Sequence, residues 1–182
     1  SVVLHPLQPV ALSDSWLAHE ATRRNLADNG IKEGSVVLLD SLTEPEGVFD
    51  LVLIRIPKTL ALLEEQLIRL RPHIKADTRI IAAGMVKALP ASAWKLMERI
   101  LGPTTPSRAR KKARLIFCKP DLSLPTTGSP YPSCYVLEGS DYTLCNPANL
   151  FSRESLDIGS RFMLQHMPET QGPLDIIDLG CG

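Results

Sequence analysis

The sequence predicts an α/β fold, a doubly wound and mostly parallel sheet with helices on both faces. Three observations carry this. From residue 10 to about residue 120, short apolar runs alternate with amphipathic stretches of helical period. The apolar runs are continuous rather than alternating, as in strands covered on both faces. Gly or Pro stands at the ends of the helical stretches, where helices stop.

Each element follows in order. Residues 10–12 read as a first strand, and Ser15 caps a helix to about Asn29, where Gly30 ends it. Residues 36–39 are a second strand. Residues 51–56 are a third, with its one charge, Arg55, near its end. Thr59 caps a helix with Leu60, Leu63, Leu67 and Leu70 on one face, closed by Pro72. A strand over 79–83 follows, then a helix opened by Pro90 that carries Trp94, Met97 and Leu101 and stops at Gly102. Residues 113–118 are the last strand of this block. Residues 121–132, rich in Pro, Ser and Thr, read as a linker. Two short strands, 134–137 and 142–145, flank the turn signal Glu138, Gly139, Ser140, Asp141. A helix over 156–167 precedes an apolar strand at 174–179.

Composition narrows the class. Of 182 residues, 44% are hydrophobic and 22% charged, which excludes a disordered chain. Net charge is zero, and a local basic stripe can still bind phosphates in a neutral chain. No apolar run approaches the roughly 20 residues of a membrane span, and no signal peptide opens the chain. The four cysteines, Cys118, Cys134, Cys145 and Cys181, form no CxxC pair, so no metal site is expected. Free thiols in a cytoplasmic protein are the expectation. The chain opens on Ser1 and closes in a strand running into a glycine loop, so it reads as a piece of a longer protein.

Three stretches could carry chemistry. The first is Asp178-Leu179-Gly180-Cys181-Gly182 after Ile176 and Ile177. Glycines at the carboxyl end of a strand let the backbone approach a nucleotide cofactor closely; an ordinary strand-to-helix turn is the alternative. The second runs from Phe151 through Asp157 to Ser160. On its residues alone it is a capped helix start, with Ser152 or Ser155 as cap and acids in the first turn. The third is the basic run Arg108, Arg110, Lys111, Lys112 and Arg114, whose alternating spacing suits several side chains facing one way along a strand or loop edge. Such a cluster neutralises phosphates or is a solvated surface turn. Aromatic residues are sparse, at 5%, so base stacking is not obvious.

The run Asn-Pro-Ala-Asn-Leu-Phe-Ser-Arg-Glu-Ser-Leu-Asp-Ile-Gly-Ser-Arg at 146–161, followed by Asp-Ile-Ile-Asp-Leu-Gly-Cys-Gly at 175–182, resembles the ribosomal RNA guanine-N2 methyltransferases. Pro-Lys-Thr-Leu-Ala-Leu-Leu-Glu at 57–64, Asp-Thr-Arg-Ile-Ile-Ala at 77–82, Leu-Gly-Pro-Thr-Thr at 101–105 and Lys-Lys-Ala-Arg-Leu-Ile at 111–116 are similar to the large-subunit methyltransferase G family, with small-subunit methyltransferase C as its sister. The resemblance covers nearly the whole chain. It implies a tandem of Rossmann-like domains. Residues 1–120 would be a degenerate methyltransferase-like domain lacking its first strand and glycine loop. Residues 121–150 would be a linker and short hairpin, and 151–182 the start of the catalytic domain, stopping after its first cofactor motif. The resemblance further implies S-adenosylmethionine as cofactor and ribosomal RNA as partner. Asp178, Gly180 and Gly182 match the first cofactor motif, and Phe151, Ser152, Asp157 and Gly159 match the segment that packs over the cofactor. The Asn-Pro-Pro-Phe motif that holds the target amine lies past Gly182, so no catalytic residue is assigned. In the degenerate domain the matching strand end reads Ile56-Pro57-Lys58-Thr59, and Ile56 offers no acceptor to an amino group. Asp14 stands where a ribose-binding acid would be, and without a glycine loop it reads as a helix-capping residue.

Three functions compete on this reading: part of an RNA methyltransferase inactive alone, for large- or small-subunit RNA; a non-catalytic RNA-binding module; and a nucleotide-dependent oxidoreductase whose glycine loop opens at Gly180.

Overall fold

The computed structural model describes residues 8–32, 34–167, 172–173 and 175–177. It divides into two units, Ser1–Val48 and Phe49–Gly182.

In the first unit, β1 (Val10–Leu12) and β2 (Val37–Leu39) pair in parallel, Val10 opposite Val37, and α1 (Trp16–Asp28) connects them. Ser15 caps α1 by accepting from the Ala18 amide at 3.3 Å. The cap is therefore Ser15 and not Asp14. At the other end the Gly30 amide donates to Ala27 O and the Ile31 amide to Leu26 O, both at 2.9 Å. This paired closure needs a left-handed residue at Gly30, whose φ is +66°.

The second unit is built on β3 (Phe49–Arg55), β4 (Ile74–Met85), β5 (Thr104–Pro106) and β6 (Ala113–Cys118), in the order β3-β4-β6-β5. β3 and β4 are parallel; β6 runs antiparallel to both β4 and β5. The α/β class holds, and the parallel pairings among the described residues are β1/β2 and β3/β4. β5 is absent from the expectation because its three residues end in Pro106, which reads as a turn. β4 starts five residues early: the buried Thr78 hydroxyl donates to Phe49 O at 2.6 Å and accepts from the Lys75 amide, joining a polar stretch to the sheet.

Two helices, α2 (Leu60–Leu70) and α3 (Ala91–Ile100), cover one face of this sheet. Leu63, Leu67, Ala93 and Met97 meet Ile80, Ala82 and Ile116 in a buried apolar core. In-register neighbours Leu53, Ile81 and Phe117 face the other way, with Leu53 63% and Phe117 44% exposed. Gly102 ends the turn after α3 at φ +136°; a Cβ there would stand 2.3 Å from Lys119 O. Cys118 is buried and donates its thiol to Gly102 O, and burial, with the charge of Glu98, pushes its pKa up to about 11.

Residues 121–132 are not a loose tether. A 3₁₀ turn, Arg71–His73, follows α2, and the buried Arg71 guanidinium donates to Asp121 O at 2.8 Å and Leu124 O at 3.4 Å. Beyond it, β7 (Ser133–Val136) and β8 (Thr143–Asn146) form the antiparallel hairpin. Their register sets Cys134 opposite Cys145, and the two form a disulfide. This corrects the expectation of free thiols: cross-strand register, invisible in the spacing, brings their Cα atoms to 4.1 Å. The last helix, α4, spans Ile158–Gln165. Of the strand expected at 174–179, residues 175–177 are irregular; Leu174, Asp178 and Leu179 lie outside the described residues.

Candidate functional site

The basic run forms the tip of the β5–β6 hairpin. Arg110 and Ala113 exchange two backbone hydrogen bonds of 2.9 Å across Lys111 and Lys112. Both lysines have positive φ, +49° and +63°, which makes a type I′ two-residue turn. Such a turn has the same sense of twist as the strands of a hairpin. Arg108, Arg110, Lys111 and Lys112 are all exposed. Arg114 departs from the expected row. It lies on β6, its guanidinium 5.7 Å from the Trp94 ring centroid, and its buried Nε has no hydrogen-bond partner among the described residues. It stacks on α3, leaving four side chains at the tip.

The candidate cofactor segment leaves β8 at Asn146. Its loop is closed on itself: Asn146 Nδ2 donates to Arg153 O at 3.2 Å, and Arg153 Nη1 donates to Ala148 O at 2.8 Å. Ala148 is 2% exposed and Phe151 86%. Ser152 takes φ +54°, a turn conformation, and does not cap the helix. The cap is Asp157, whose Oδ1 accepts from the amides of Gly159 at 2.9 Å and Ser160 at 3.2 Å. This corrects the expectation of Ser152 or Ser155. Hydrogen bonds from Ser160, then Gly159, hold the Asp157 carboxyl below the usual aspartate range. Gly159 is matched to that cap, because a Cβ there would come 3.1 Å from Asp157 Oδ1. Asp178, Gly180 and Gly182 lie outside the described residues.

At the end of β3, the Ile56 amide continues the ladder to Ala83 O at 3.0 Å, and the Ile56 side chain packs against the core. Thr59 holds the N-cap position of α2 without a capping side-chain bond. Its hydroxyl donates instead to Asn149 Oδ1 at 3.0 Å. The sequence reading missed this contact across 90 residues, and a single sequence carries no signal for it. Among the described residues no cluster of His, Cys, Asp or Glu could hold a metal, and no helix is long and apolar enough to cross a membrane.

The family model for the RLMG N-terminal domain matches residues 1–122, and that for the Methyltransferase small domain matches residues 141–182. A protein of Streptomyces griseus named Ribosomal RNA large subunit methyltransferase G is 48% identical over 180 residues, covering 96% of this chain and 47% of its own length. A protein of the same name from Pseudomonas putida is 48% identical over 176 residues, covering 97% of this chain and 47% of its own. The chain thus spans about half the length of the curated relatives it matches. Among solved structures, a 16S rRNA N2 methyltransferase of T. thermophilus in complex with AdoMet and guanosine superposes with a TM-score of 0.60 at 19% identity, over 90% of this chain and 49% of that one. A protein of Pyrococcus horikoshii gives 0.51 at 10% identity, over 64% and 73%. At these identities the likeness is one of fold.

Proposed function

This chain belongs to the ribosomal RNA large subunit methyltransferase G family, and from that premise we propose that it serves S-adenosylmethionine-dependent methylation of a guanine N2 amine in large-subunit ribosomal RNA. Its own part is to hold and position the RNA and to supply one side of the cofactor site; alone it is inactive. The observation that carries the RNA reading is the hairpin tip, where four exposed cations stand on and just before a type I′ turn.

Phe151, Ser152, Asp157 and Gly159, together with Asp178, Gly180 and Gly182, would hold S-adenosylmethionine, which when bound supplies an electrophilic methyl group. Asp157 Oδ1 is committed to two backbone amides, so this carboxylate fixes where α4 begins, with Gly159 leaving room for it. Phe151 offers an exposed ring face to an apolar or cationic group. Ile56, turned into the core, offers the RNA base no acceptor, so positioning at this unit goes through the phosphate backbone. The non-catalytic RNA-binding module remains the description of the chain by itself. We also assign the protein to the cytoplasm, where Cys134 and Cys145 would meet a reducing thiol pool.

The test is the salt dependence of binding to large-subunit rRNA fragments. Lys111→Glu with Lys112→Glu should weaken binding and lower the log-log salt slope by about 0.7 to 0.9 for each lost phosphate contact. An unchanged slope makes both lysines ordinary surface charges.

A further inference from the structure

α2 spends its first two turns on something other than itself. Thr59 gives its hydroxyl to Asn149 where a capping bond would be usual. Glu64 accepts from Arg99 of α3 and, through its other oxygen, from the Tyr131 hydroxyl at 3.2 Å. Glu65 accepts from Ser129. The Tyr131 ring in turn lies 5.7 Å from the Arg153 guanidinium carbon, and the same guanidinium donates to the carbonyl of buried Ala148. The contacts therefore run from α3 and α2 through Tyr131 and Arg153 into the loop that carries Phe151. Phe151 and Ser152 sit between the two anchored positions, Asn149 and Arg153, with the left-handed turn at Ser152 between them.

We propose that Tyr131 and Arg153 are a brace, with Arg153 the positioning residue, through which the α2–α3 layer fixes Phe151 and Ser152 for the cofactor. This rests on the reading that Phe151 and Ser152 cover the cofactor. Its physical basis is that the Arg153 guanidinium, next to Ser152, combines a ring contact with a backbone hydrogen bond, which a flexible ammonium reproduces only in part. Burial of Tyr131, and then the charge of Glu64, raise its pKa, so the hydroxyl stays a donor across the neutral range.

The experiment uses the full-length protein, with S-adenosylmethionine affinity by titration, KM for cofactor and for RNA, kcat, and thermal melting. Arg153→Met should raise the cofactor Kd and KM about tenfold or more, with the KM for RNA unchanged. Tyr131→Ala should do the same, and the double variant should be no worse than either single one, because both break one chain of contacts. Arg153→Lys should recover part of the loss. Phe151→Ala reads the underlying assignment separately. If Phe151→Ala weakens the cofactor and Arg153→Met does not, the brace is wrong and the cofactor segment stands. If neither changes cofactor affinity, the cofactor assignment falls and takes the brace with it. If Arg153→Met does not fold, Arg153→Lys and Tyr131→Phe decide: unchanged cofactor KM in both overturns the proposal.

Discussion

Replacing Lys111 with Asn and Lys112 with Gly should make the protein more stable and a poorer RNA binder at the same time. The two lysines hold φ of +49° and +63°. A left-handed conformation costs a side-chain-bearing residue roughly 1–2 kcal/mol, whereas Asn tolerates it and Gly adopts it freely; Asn-Gly is the favoured type I′ pair. Glycine also returns up to about 1 kcal/mol to the unfolded chain as entropy. The net gain is therefore about 1 kcal/mol, or roughly 2–4 °C in Tm for a chain of this size. Two cations are lost with it, so the salt slope on RNA should fall by about 1.5. Between 50 and 200 mM salt that slope change is worth roughly eightfold in relative affinity. Thermal melting and fluorescence titration across that salt range measure both. The double glutamate variant, which keeps side chains in strained backbone, should lose RNA without gaining stability. Should the Asn-Gly variant melt at or below the parent's temperature, the argument for strain at this turn fails.

Gly102→Ala should destabilise the Phe49–Gly182 unit by roughly 2–4 kcal/mol, because a Cβ would stand 2.3 Å from Lys119 O and 2.8 Å from the Asp121 amide at a φ of +136°. Urea unfolding measures it, and a change below about 0.5 kcal/mol, the range of ordinary surface substitutions, refutes the packing argument. Asp157 should titrate below 3.8, the ordinary aspartate value, because its folded carboxyl is held down by Ser160 and Gly159. Stability from this cap is then present above the unfolded pKa and lost as pH falls through the lower folded one. Amide shifts of Gly159 and Ser160 followed by NMR would show the midpoint, and a value at or above 3.8 sinks the assignment.

Local rules carried the sequence reading where local physics decides. Ser15, Gly30 and Pro90 mark helix boundaries because caps and stops depend on neighbours within a turn or so. The hairpin around Gly139 was legible for the same reason. Failures came where a distant partner outbid a near one. Thr59 has the chemistry of a cap and gives its hydroxyl to Asn149. Lys75 to Thr78 look too polar for a strand until Thr78 finds Phe49 O. Arg114 belongs to the basic run in sequence, but the outward turn of its side chain is lost to Trp94. Cys134 and Cys145 become partners only through strand register. At the site, the run from Phe151 to Gly159 was found by its motif, and the surroundings that fix it were not, because Tyr131 and Glu64 are ordinary residues until folding brings them together.

The clamp of Arg71 on the carbonyls of Asp121 and Leu124 alters how residues 121–132 should respond to changes in length. A flexible tether sets an effective concentration between the things it joins, and that concentration falls gently as the tether grows. A stretch pinned at Asp121 and Leu124 by one element, and again at Ser129 and Tyr131 by α2, behaves as a strut. Extra residues placed between 124 and 129 leave both anchorages where they are and merely bulge into solvent. Shortening the same interval pulls one anchorage free, leaving either a buried guanidinium without acceptors or Glu64 without Tyr131. Natural variation in length, and any engineered insertion, should therefore gather between the two anchorages, where residues 125–128 are exposed, and avoid the anchorages themselves.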